Sequence, residues 1–175
     1  MRQLPTLEKV GYELDSAEER HRENPETFYL PPKAERESLQ TDDLAKLIFD
    51  ISIDDDVAQL ATERMWVKVI DSKDGIYSGT LENKPYCREE GKIRLALGDT
   101  VLFSPEHIIM TYTAAELTQK TEQRKNIIET ITIDQAIEVQ KRCKDRKMVD
   151  EMVSAGFPVF EVLEKYNLDL PTLDD

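Results

Sequence analysis

The chain has 175 residues, 36 of them acidic and 23 basic, for a formal charge of −13; 39% are hydrophobic and 34% charged. That length suits one compact domain with an annex, and the acidic excess argues against a general nucleic-acid binder and against adhesion to an anionic membrane, both of which need cations. No apolar run approaches the ~20 residues of a membrane span, residues 1–15 lack a signal-peptide stretch, and Cys87 and Cys143 are too few for a disulfide framework or a zinc clip, so a reduced, cytoplasmic protein is expected.

Ser16-Ala17-Glu18-Glu19 fits a capping box, in which the hydroxyl caps a backbone N–H and the Glu reaches back, and it predicts a short polar helix from Ala17 to Asn24. Pro25 and Pro31-Pro32 end it and impose an extended path through Phe28-Tyr29-Leu30. In residues 44–51, Leu47, Phe49 and Ile51 alternate with Ile48 and Asp50, the period of a strand. The chain also repeats itself there. Residues 39–47 align with 95–103, each copy placing a Leu four residues before an Asp (Asp43, Asp99) and an apolar residue four after it (Leu47, Phe103). A polar turn feeding a strand accounts for both copies.

Residues 63–70 are rich in strand formers, with Met65, Val67 and Val69 opposite Trp66 and Lys68. Asp74-Gly75 is a hairpin signal, and residues 76–81 are the returning strand. Gly98-Asp99 turns into residues 100–103, and Ser104-Pro105 turns again before 107–112. From Thr113 the period becomes helical. Thr113-Ala114-Ala115-Glu116 and Thr132-Ile133-Asp134-Gln135 read as capping boxes. The latter opens a stripe of Ile133, Ala136, Ile137 and Cys143 continuing to Val149, Met152 and Val153; Gly156 stops it. Pro158 starts a last helix carrying Val159, Val162, Leu163 and Tyr166, which Asn167 and Pro171 end. The expected fold is α+β: a small, bent antiparallel β-barrel of SH3-like size with an N-terminal helix and a C-terminal helical annex, divided into residues 1–112 and 113–175.

Catalytic constellations are not legible. His21 and His107 are far apart, no HExxH or Cys-x-x-Cys occurs, and Asp54-Asp55-Asp56 lacks the alternating ligands of a calcium loop. Gly75, Gly79, Gly91 and Gly98 are scattered turn glycines rather than a phosphate loop. Cys143 on an apolar stripe reads as a buried thiol, and Cys87 sits in a loop beside Arg88. Residues 133–166 have helix-turn-helix spacing, but Glu161 and Glu164 against Lys165 would repel phosphate. The expectation is a non-enzymatic protein without cofactor or metal. Charge is concentrated early: residues 1–62 hold 15 acidic and 7 basic side chains, net −8, against −1 in 63–112 and −4 in 113–175. Glu18, Glu19, Asp54, Asp55 and Asp56 are thus candidate partner contacts, with Tyr77 and Tyr86 as aromatic anchors. Trp66 reads mainly as core.

One string of short motifs goes further. Residues 24–32 (Asn-Pro-Glu-Thr-Phe-Tyr-Leu-Pro-Pro), Glu35-Arg36-Glu37, Lys46-Leu47-Ile48-Phe49, Glu63-Arg64-Met65-Trp66-Val67-Lys68-Val69, residues 79–85, and Gly98-Asp99-Thr100-Val101-Leu102-Phe103 with Ile108-Ile109 follow in order. Together they resemble a bacterial domain family, some members of which are immunity proteins of polymorphic-toxin systems. The resemblance covers residues 24–112 and departs from a Gly-Asp turn at Asp42-Asp43. It implies a protein that binds a toxin and occludes its surface, and it assigns no catalytic residue. An acidic chain would gain association rate toward a basic toxin by steering. The alternative is a peptide-binding or adaptor module, with the helical annex forming a homodimer.

Overall fold

The computed structural model describes residues 2–53, 56–86 and 94–169. The chain divides into two compact units, residues 1–114 and 115–175.

In the first unit, helix α1 (Leu7–Val10) ends at Gly11, which takes a left-handed φ of 77° and lets the chain turn into strand β1 (Tyr12–Leu14). Helix α2 (Ala17–Glu23) opens as its capping residue predicts, the Ser16 hydroxyl accepting the Glu19 N–H at 3.2 Å. Helix α3 (Lys33–Arg36) follows Pro31-Pro32, in a stretch to which the sequence reading assigns no element. Strands β2 (Leu44–Ile53), β3 (Asp56–Lys73) and β4 (Ile76–Leu81) form an antiparallel meander. The β3–β4 hairpin turns at Asp74 and Gly75, whose φ values of 54° and 76° are those of a type I′ turn. Strand β5 (Thr100–Phe103) pairs with β4; a 3₁₀ turn at Pro105–His107 then carries the chain to β6 (Ile108–Tyr112).

The ladder runs β1-β2-β3-β4-β5, and β6 joins the same edge of β2 as β1, one on each half of that long strand. Register shifts in the β2–β3, β2–β6 and β3–β4 ladders bend the strands. The result is an open, curled antiparallel sheet, a half-barrel, where the sequence reading expected a closed barrel. The concave side is filled by Leu47, Phe49 and Ile51 of β2, Met65, Val67 and Val69 of β3, and Val101 and Phe103 of β5. Gly79 is required by close approach: a Cβ there would lie 2.5 Å from Val67 Cγ1 and 2.6 Å from the Lys68 carbonyl oxygen.

The second unit is helical. Helix α4 (Ala114–Thr130) is followed by α5 (Ile133–Arg142), α6 (Arg146–Ser154) and α7 (Val159–Lys165). The box at Thr132 forms, with the Thr132 N–H donating to Gln135 at 2.9 Å and the Gln135 N–H donating back at 3.3 Å. The stripe expected to continue to Val153 is interrupted after Cys143. Asp145 restarts it by accepting the Lys147 N–H at 2.9 Å, which makes α5 and α6 separate helices. Val139, Cys143, Val159 and Leu163 form the core, with Met152 and Phe157 packed against them. Lys165 Nζ donates to the carbonyls of Ile128 (2.7 Å), Glu129 (3.2 Å) and Ile131 (3.3 Å), closing the C-terminal end of α4. Among the described residues no helix is long and apolar enough to cross a membrane.

Candidate partner-binding surface

Strand alternation decides which side chains of the sheet are available to a partner. With Met65, Val67 and Val69 turned to the core, the intervening β3 residues Leu60, Thr62, Arg64, Trp66 and Lys68 share the opposite face. Trp66 is therefore half-buried on the outer face and not in the core, as had been expected. Its ring stacks on Tyr112 at 5.3 Å, and the ammonium of Lys46, directly across on β2, lies 5.3 Å from its centroid.

The other end of that face is acidic. Asp50 stands opposite Thr62 on one side and opposite Glu13 of β1 on the other, and it accepts the Thr62 hydroxyl at 2.5 Å. Two carboxylates directly opposite on neighbouring strands repel each other. Asp15, just beyond β1, is ion-paired with Arg20 of α2. Glu13 and Arg64 make no ion pair among the described residues. Sequence reading missed this arrangement. The alternation in β3 was visible, but Glu13 and Asp50 are 37 residues apart and only strand pairing brings them together.

The residues singled out from sequence fall on separate elements. Glu18 accepts from Arg36 Nη1 at 2.9 Å, and this guanidinium, 3% exposed, also donates to the carbonyls of Pro31 (2.9 Å) and Pro105 (2.7 Å). Glu18 is thus the carboxylate partner of a buried cation. Glu19 is exposed and paired with Arg22 at 3.1 Å. Asp56 is exposed at the start of β3, within 3.4 Å of the Gln59 amide; Asp54 and Asp55 lie outside the described residues, as does Cys87.

Tyr77 is corrected from surface anchor to core residue. It is 3% exposed, stacks on Phe103 at 5.3 Å, and donates its hydroxyl to the Arg36 carbonyl at 3.1 Å. Its burial pushes the phenol pKa up. The pattern Ile76-Tyr77-Ser78 places Tyr77 inside as readily as outside, and the pairing of Tyr77 with Phe103 sets it on the concave side. Tyr86 is the opposite case. It is 97% exposed, and its backbone N–H donates to the Glu63 carboxylate at 2.9 Å. Glu82, close by in sequence after β4, pairs with Lys68 at 3.4 Å.

The helical unit holds a cavity of about 380 Å³ lined by Lys120, Gln123, Arg124 and Ile127 of α4 together with Gly156 and Phe157. Arg124 pairs with Glu161 of α7 at 2.5 Å; a backbone hydrogen bond at Glu161, chiefly, and then the bond from Arg124 hold its carboxyl below the usual range. Cys143 is fully buried and its thiol pKa is pushed up by that burial, the condition of an unreactive packing residue.

No known protein family, no curated protein and no solved structure matches the chain.

Proposed function

We propose that this chain is a non-enzymatic, immunity-type binding protein that neutralises a basic toxin by covering its working surface. The observation that carries the reading is Tyr86. An aromatic ring this exposed, with the Glu63 carboxylate bonded to its backbone N–H, has the make-up of an anchor beside a charge-selective group. The net charge of −13 and the motif string in residues 24–112 support the same reading. The contact is centred on Tyr86, with Glu19 and Asp56 contributing to the long-range field.

The test is capture from a lysate of the protein's own host at low and high salt, with bound species identified by mass. The expected outcome is one basic partner, released at high salt and bound about tenfold or more weakly by Tyr86→Ala. Several unrelated partners retained at high salt would replace this reading with the adaptor. That second reading draws its support from Ile133, Val153 and Phe160, large apolar side chains left exposed on the helical unit and suited to dimerisation.

A further inference from the structure

The outer face of the sheet is charge-segregated along β3. Leu60, Thr62, Arg64 and Trp66 follow one another on that face, and Glu13 and Asp50 sit beside Thr62. At the acidic end Arg20 of α2, ion-paired with Asp15, also acts on Asp50, so one cation is shared between these carboxylates and Glu13 has no ion pair among the described residues. Glu13 and Asp50 repel across the β1–β2 pair, while Arg64 is exposed and without an ion pair among the described residues. Leu60 is 44% exposed, and Trp66 keeps part of its ring in solvent beside the Lys46 ammonium. Ile48 is buried on this same face, so the open strip is that of β3 with Asp50 and Glu13 at its side.

A surface of this kind complements itself. A two-fold axis crossing the strip between Thr62 and Arg64 exchanges Thr62 with Arg64 and Leu60 with Trp66. It lays the Arg64 guanidinium of one copy against the Asp50–Glu13 pair of the other, and the same contact recurs on the far side of the axis. Leu60 of each copy then covers the ring of Trp66 in its mate. We propose that the occupant of this face is a second copy of the chain, joined through β3 in an isologous dimer. Local charge complementarity favours a copy, because the acidic and basic ends needed are both present on one strip, and these contacts work against the mutual repulsion of two chains of charge −13. The strip is roughly 20 Å long and one strand wide, with Asp50 and Glu13 at its side, so the contact is small and the dimer is a weak one. This dimer does not depend on the toxin-binding reading, and it places self-association on the sheet, not on the helical annex.

The experiment is sedimentation equilibrium of the full chain, 20.2 kDa as a monomer, at concentrations up to about 500 µM and at low and high salt. Arg64→Glu and Asp50→Lys are each measured alone and then mixed one to one, with circular dichroism confirming that each variant is folded. The wild-type chain should dimerise at low salt. Each variant alone should associate at least about thirtyfold more weakly, because the two-fold repeats every repulsion. The mixture should recover the dimer, since both contacts become oppositely charged again. A wild-type chain that stays monomeric, a dimer indifferent to either variant, or a mixture that stays monomeric would each overturn the proposal. Leu60→Ser, at an exposed position, gives an independent arm: it should weaken the dimer in low and high salt alike, and an unchanged dimer would refute the placement of Leu60 on Trp66.

Discussion

Burial sets the behaviour of His107. Its side chain is 6% exposed; Nδ1 accepts the Ser104 N–H at 3.1 Å and lies 2.9 Å from the Ser104 hydroxyl. Desolvation lowers its pKa, against the opposing pull of Glu106, the Ser104 backbone bond and the more distant Asp15. The unfolded chain therefore takes up a proton near the ordinary histidine value of about 6.5, while the folded ring stays neutral to a lower pH. The neutral ring's contribution to stability is complete above that value and is lost as pH falls from it toward the folded pKa. Urea midpoints should decline from pH 7 to about 5.5, and His107→Gln should flatten that decline. An unchanged slope in the variant would assign the effect to another group. Nothing in the local sequence announced this residue: Ser104-Pro105 marked a turn, but whether the following ring faces water or core is decided by packing.

At the scale of elements, the internal repeat is two copies of one turn. The Gln40 N–H donates to Asp43 Oδ2 and the Ala96 N–H to Asp99 Oδ2, both at 2.7 Å. Asp42 and Gly98 take φ values of 72° and 90°. Asp42 donates its N–H to the Val69 carbonyl and Gly98 to the Leu81 carbonyl, while Val69 and Leu81 donate back to the carbonyls of Asp43 and Asp99. Leu39 and Leu95 are both buried ahead of their turns. An aspartate at Asp42 accepts the left-handed conformation that glycine takes at Gly98 without strain. The copies differ in one respect: Asp43 Oδ1 also accepts the Ala114 N–H at 2.8 Å, at the first residue of α4. Asp99→Ala should cost about 1.5–3 kcal/mol and Asp43→Ala clearly more, since a second hydrogen bond to a charged acceptor is lost. Equal losses by urea denaturation would show that the bond to Ala114 contributes nothing. The repeat and its strands were legible because each turn is local. Strand β1 was not, since three residues are too few for periodicity to register.

For the whole molecule, a charge of −13 makes a long-range field that acts on encounter before any contact forms. With the captured basic partner, the association rate constant should fall at least about tenfold between 50 and 500 mM salt, while dissociation changes less. A salt-independent association rate in stopped flow would remove steering from the account. The sign and concentration of that field follow from composition, and the succession of strands followed by helices follows from hydrophobic period; both were determined by the sequence alone, because charge counts and periodicity are local properties. The open curl of the sheet, the return of β6 to the edge of β2, the burial of Tyr77, the half-buried placement of Trp66 on the outer face and the meeting of Glu13 with Asp50 were decided only by the tertiary structure. Each depends on which strands pair and in what register, and a shift of one residue would turn every one of those side chains to the other face.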